Sequence, residues 1–271
     1  MKISGLIFAA ALLAVVGCSG EGFTAAGTPA QDSGDGQVGG ELLSLTTSSF
    51  RVVQVGDFWK YNERRTGFEN GQFFVLVGTV TSSILSDTIT DAVGNQARIT
   101  SISTNLVRQE DQFPVTSMAQ LYHSQDSDGT LYVHGFLDDS VQPPVSRFVK
   151  VPSEGKAIIW ASPMNLGAVA QTNFIEYEDG SRETVAAVAV ALEEITVAAG
   201  TFVALRVEGS GSRTTGTTTF TSAFTSWVVP ELAASVRYEI TISIREGGLA
   251  PHTSFTVSGE LAETNVPHAG S

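Results

Sequence analysis

Short runs rich in Thr, Val, Ile and aromatic residues recur along most of this chain, cut by Gly, Asn, Asp and Pro. No long stretch carries the 3.6-residue apolar period of an amphipathic helix. Trp59 and Tyr61 alternate with Lys60 and Asn62; residues 73–80 are nearly continuous; residues 97–102 alternate again. Further runs fall at 119–123, 130–136, 146–151, 156–160, 172–177, 202–208, 217–229 and 235–245. Strands at this spacing predict an all-β fold: a single antiparallel sandwich, a barrel or a strongly curved sheet. Residues 183–194 are rich in Ala, and Val185, Val188, Val190 and Leu192 fit neither period. Their β-branched residues and the tight turn that follows place them among the strands. The Gly/Ser/Thr stretch 209–219 reads as a long hairpin loop. The same strand style on both sides of it predicts one β domain over 48–264, followed by a frayed tail at 265–271.

Residues 1–17 have the layout of an export signal. Lys2 gives a positive start, and an apolar run over 6–16 is too short to span a bilayer. The run ends in Val15-Val16-Gly17-Cys18, which resembles the lipobox of bacterial lipoproteins. The resemblance implies cleavage between Gly17 and Cys18, a diacylglyceryl group on the Cys18 sulfur, and a further acyl chain such as palmitate on the freed amine. Several chains anchor stably where one binds marginally. Cys18 is the only cysteine of the chain. Ser19 after it implies, by the same resemblance, sorting to the outer membrane of a Gram-negative host, facing periplasm or surface. Residues 18–47 read as the lipidated Cys18 and a tether of Gly, Ser, Thr, Ala and Gln with scattered acids. Gly34-Asp35-Gly36-Gln37-Val38-Gly39 formally matches G-x-G-x-x-G, but no strand precedes it and no helix follows, so it holds no dinucleotide.

Charge narrows the function classes. Fifteen Lys and Arg face 28 Asp and Glu, a net charge of -13, which excludes a generic nucleic-acid binder and adsorption on anionic lipid. One cysteine excludes an internal disulfide framework and multi-Cys metal sites. No G-x-S-x-G elbow stands anywhere, and Gly209-Ser210-Gly211-Ser212 is only Gly/Ser-rich. His123, His134, His252 and His268 are scattered; the first two approach each other if runs 119–123 and 130–136 form a hairpin. Asp126-Ser127-Asp128-Gly129 opens like a calcium loop, which makes Asp126 and Asp128 weak calcium candidates with Asp138 and Asp139 nearby. Leu137 stands where the twelfth-position glutamate belongs. No catalytic residue, bound metal or cofactor is assigned, and the chain reads as non-enzymatic.

Three stretches resemble a loosely defined group of uncharacterised β-rich bacterial lipoproteins. Val55-Gly56-Asp57-Phe58-Trp59-Lys60-Tyr61 is similar to their G-x-x-W-x-Y strand. Val197-Ala198-Ala199-Gly200-Thr201-Phe202-Val203-Ala204-Leu205-Arg206-Val207 is similar to their V-x-A-G-T-F-x-A-x-[KR]-V hairpin. Trp227-Val228-Val229-Pro230 with Val236-Arg237-Tyr238 resembles their third element, although Ala233 and Ala234 stand where glycine is usual. Asp126 to Gly129 resembles their acidic hairpin turn. The resemblance implies fold, a strongly curved carrier-like sheet, and location, not an activity. Trp59, Tyr61 and Trp227 are expected in the core, each worth roughly 2–3 kcal/mol of transfer free energy. The expected role is a membrane-anchored envelope lipoprotein that serves as an interaction or structural module with an envelope partner. The alternative is a carrier for a hydrophobic or lipid ligand, suggested by 15 Phe residues. A filled interior favours the first, a lined cavity the second.

Overall fold

A computed structural model of the chain describes residues 49–139, 142–164, 166–167, 169–247 and 253–268. The signal segment, Gly17, Cys18, the tether, His252 and residues 269–271 lie outside the described residues. A period of two can bury only one side of an extended chain, so the alternating runs become strands. There are thirteen among the described residues: β1 (Phe58–Glu69), β2 (Gln72–Thr90), β3 (Gln96–Arg108), β4 (Pro114–Gln125), β5 (Leu131–Asp138), β6 (Val145–Val151), β7 (Ala157–Trp160), β8 (Val169–Tyr177), β9 (Arg182–Val197), β10 (Gly200–Thr215), β11 (Thr218–Val229), β12 (Ala234–Glu246) and β13 (Thr253–Thr264). A single 3₁₀ turn, Pro230–Leu232, is the only helical element among them.

Neighbours in sequence are mostly neighbours in the sheet, and every pairing is antiparallel. The last strand closes onto the first, Trp59 opposite Thr264. A β4–β5 pairing then joins the remaining ends, so twelve strands form a closed barrel. The thirteenth, β7, pairs with β5 at Leu131, Tyr132 and Val133, beyond the point where β6 leaves that edge. Closure removes the exposed edge strands that invite aggregation.

The wall has a polar outside and an apolar inside. Lys60, Asn62 and Arg64 of β1, Glu239 and Thr241 of β12, and Thr256 and Glu260 of β13 face outward. Between them Tyr61, Ile240, Ile242, Phe255, Val257 and Leu261 are buried in one core cluster. A lipid-embedded barrel has the reverse alternation. Eight strands give an interior that side chains just fill, and sixteen leave a channel. At twelve, large residues such as Phe220, Phe224 and Tyr177 pack in the core, and a gap remains among the described residues.

Several expectations need correction. Stretch 209–219 is not a long loop: the β10–β11 ladder runs on to Thr215 opposite Thr218, around a tight turn with Gly216 at φ 58°. Glycine is required within this ladder for another reason, since a methyl on Gly209 would collide with Phe224, Ala187 and the Ala186 carbonyl. The expected frayed tail is tied down as far as His268. Asn265 accepts from Phe58 N–H and donates to the Gly56 carbonyl, both at 2.9 Å, and Val266 is buried. Trp227 is half-buried, packed against the core rather than within it. Its cross-strand neighbours are Arg206 and Arg237, and it donates its indole N–H to Glu193 at 2.7 Å with the Arg237 guanidinium 5.0 Å from its ring. Residues 183–194 do form a strand, within β9.

Candidate functional site

A cavity of about 100 Å³ lies inside the barrel, between the main core and a small cluster of Val80 and Ile102. Alternation along β1 aims Trp59, Tyr61, Glu63 and Arg65 into it; β2, β3, β4, β7 and β12 add Ile84, Thr100, Leu121, His123, Trp160 and Tyr238. Ala233 and Ala234, which follow the 3₁₀ turn, also line the cavity. There Trp59 donates its indole N–H to the Leu232 carbonyl at 3.1 Å, so the first and third resembling motifs meet at this cavity. Ala233, next in the chain, has φ 50° and donates its N–H to the Pro230 carbonyl. The other indole, Trp160, packs on Phe50 with centroids 4.5 Å apart.

The polar groups at the cavity fall into two sets. In the first, Arg65 Nε donates to Glu63 Oε1 at 2.7 Å and Tyr238 donates to Glu63 Oε2 at 2.5 Å. All three side chains are buried. Burial, and then the charge of Glu63, push the Tyr238 phenol well above its usual range. The second set is unsatisfied: neither ring nitrogen of His123 has a hydrogen-bond partner in the protein, nor does Trp160 Nε1. His123 is 3% exposed. Its burial, reinforced by the charges of Arg98 and His134, pushes the imidazole down to about 4, so it is neutral near pH 7. In volume the cavity resembles an engineered apolar void that takes up benzene or xenon, not a drug-sized pocket.

A further polar group is buried elsewhere in the core. Tyr177 donates to Glu183 Oε2 at 3.2 Å, and the Arg213 guanidinium sits 4.3 Å from the Phe136 centroid and donates to Ser181 Oγ at 3.4 Å. Burial pushes the Glu183 carboxyl up to about 7 against the pull of Arg213 and Tyr177.

Runs 119–123 and 130–136 do pair as a hairpin, but its two histidines part ways. His123 lines the cavity, whereas His134 bonds Ser124 and Asp91. Asp126 and Asp128 shape the hairpin turn. Asp126 accepts from the Tyr132 hydroxyl and Asp128 from Thr130 N–H, each at 2.8 Å. Gly129, at φ 94°, lies against the Phe50 carbonyl too closely for any side chain. No group of three potential metal ligands occurs among the described residues. Sequence reading missed the cavity's orphan nitrogens and the role of Glu63 and Tyr238; the one available signal was an acid, Glu63, at an inward position of an alternating strand.

No family model matches the chain. No curated protein matches it either. Among solved structures it is similar to a protein of Bacteroides fragilis NCTC 9343 described as exported, with a YmcC-like fold. The identity there is 12% and the TM-score 0.38, over 80% of this chain and 99% of that one. It is also similar to a protein of Parabacteroides distasonis ATCC 8503 described as a lipoprotein, with 15% identity and a TM-score of 0.38 over 82% of this chain and 100% of that one. Both likenesses are weak.

Proposed function

We propose that the chain is an exported, acyl-anchored envelope protein whose barrel binds one small, mostly apolar molecule carrying a hydrogen-bonding group. The observation that supports this is His123, a buried imidazole with two unpartnered nitrogens at the wall of a mostly apolar cavity whose Glu63, Arg65 and Tyr238 already bond one another. A buried polar group left bare costs about 1–3 kcal/mol, which a bound polar group recovers. A neutral imidazole offers one donor and one acceptor, and the Trp160 indole adds a donor. A hydroxyl answers both kinds of group; a carboxylate only accepts and leaves the imidazole lone pair bare. The cavity turns the choice between interaction module and binding protein toward the second. The export and anchoring half of the proposal rests on Lys2, the apolar run over 6–16 and Gly17-Cys18.

The test uses phenol and benzene, which differ by one hydroxyl. Trp59 and Trp160 line the cavity and report binding through their fluorescence. The expected result is saturable binding of both, with phenol favoured by about tenfold for a hydrogen bond worth roughly 1.4 kcal/mol. His123→Leu brings the two affinities together. No saturable response to either compound, combined with a ligand-free native mass after gentle purification from cells, would mean that water alone fills the cavity and would overturn the proposal.

A further inference from the structure

We propose that Ser124 is an activated nucleophile, served by His134 and Asp91, that takes the acyl group of small esters and passes it to water. The site is separate from the cavity. Ser124 follows the cavity-lining His123 along β4 and therefore faces the other way. Its Oγ lies 2.7 Å from His134 Nε2, and His134 Nδ1 lies 2.8 Å from Asp91 Oδ2. A carboxylate only accepts, so Nδ1 carries the proton. In the neutral ring Nε2 then presents its lone pair to the serine hydroxyl, which is the tautomer that a serine's general base needs.

The acid of this array is fixed in place. Asp91 Oδ1 accepts the N–H groups of Val93 at 3.0 Å and Asn95 at 2.7 Å, and Oδ2 also accepts from Asn95 Nδ2 at 2.8 Å. These bonds already hold the turn after β2, so the turn does not require His134. Asp91 is 5% exposed and His134 1%, while Ser124 is only partly buried, so the array runs from a dry interior toward the surface. Tyr132 stands opposite Ser124 in register on the same face, with Lys156 Nζ 4.0 Å from its ring centroid. This places a cation on the patch that receives an ester. Acid, nucleophile and base come in the chain order Asp91, Ser124, His134 without an elbow motif, so only geometry identifies them.

The chemistry balances without a metal or redox partner. Ser124 Oγ bonds to the ester carbonyl carbon, and its proton passes to His134 Nε2. The bond to the leaving alcohol breaks, and that oxygen takes the proton. Water then attacks the acyl-serine, giving its proton to Nε2; the carboxylic acid leaves, and Ser124 recovers its hydrogen.

A fluorophosphonate probe tests this on the full chain: the Ser124 Oγ–P bond forms as fluoride leaves. Peptide mass mapping should find the adduct on Ser124, absent in Ser124→Ala. General-base assistance contributes about 10²–10⁴-fold, so His134→Gln and Asp91→Asn should slow labelling by at least about 10²-fold while tryptophan fluorescence and circular dichroism stay unchanged. Should either variant fail to fold, the intact chain still decides through the position of the adduct, because Ser124 must react ahead of the other serines. Labelling of other serines only, or an unaltered rate in a folded Asp91→Asn chain, would each overturn the assignment. The array would then be a structural clamp.

Discussion

Tyr238 on β12 donates its phenol hydroxyl to Glu63 on β1 at 2.5 Å, although β13 runs between the two strands. Gly259 on β13 makes the crossing possible. It is in register with both residues, and a methyl there would overlap the Tyr238 ring. Gly259→Ala therefore displaces the ring and should cost on the order of 1–3 kcal/mol, as overpacking does. Tyr238→Phe keeps the ring but strips Glu63 of a donor, at about 1–3 kcal/mol. Because both changes break the same bond, the double variant should lose clearly less than the sum. Urea denaturation of the four chains measures this, and strict additivity would contradict the account.

Ala233 supplies a change of opposite sign. It ends the 3₁₀ turn at φ 50°, a left-handed conformation that costs a residue with a Cβ roughly 1–2 kcal/mol. Ala233→Gly relieves this strain, offset in part by greater freedom in the unfolded chain. The expected gain is about 0.5–1 kcal/mol in unfolding free energy, read as a higher denaturant midpoint at constant slope. An unchanged or lowered midpoint would show that the Ala233 methyl, which lines the cavity, contributes more than the strain costs.

The strand pattern was readable because alternation is local. Trp59 and Tyr61 announce an inward face within four residues, and 183–194 followed its β-branched residues despite its alanines. The strand Thr253–Thr264 alternates just as cleanly, with Phe255, Val257 and Leu261 inward, yet Ser, Thr and Gly between them weaken its apolar signal. Trp227 misled because size suggests burial, whereas its flanking strands bring Arg206 and Arg237 beside it. The sites were illegible for a different reason. His134 meets Asp91 across 43 residues and Tyr238 meets Glu63 across 175, and only closure of the barrel sets those pairs.

Cys18 governs location under the anchoring proposal. Replacing the sulfur removes the acceptor for the diacylglyceryl group, and the remaining chain has no acyl anchor. Cys18→Ser should accumulate as an uncleaved precursor or appear outside the membrane fraction. The parent should show an intact mass that begins at Cys18 and carries acyl chains. A parent mass that still includes Met1, or an unmodified Cys18 thiol, would remove the anchor.

The two shifted interior groups should oppose each other in pH. For His123, burial first and the charges of Arg98 and His134 next lower the folded pKa to about 4, from 6.5 unfolded. Between these values only the unfolded chain binds the proton, so stability is complete above about pH 6.5 and falls on acidification toward 4. For Glu183, burial raises the folded pKa to about 7, from 4.5 unfolded. Here the folded chain holds the proton longer, so stability is complete below about pH 4.5 and falls as pH rises toward 7. From about 4.5 to 6.5 the two slopes cancel. Each pKa unit corresponds to about 1.4 kcal/mol, so removing one group should expose a slope of order 2 kcal/mol from the other across that window. Relative to the parent, Glu183→Gln should lose stability on acidification from pH 6.5 to 4.5, and His123→Leu should lose it on going the other way. Thermal unfolding at half-unit pH steps reads both differences. Parallel profiles for parent and both variants would show that neither group titrates differently in the folded barrel and the unfolded chain.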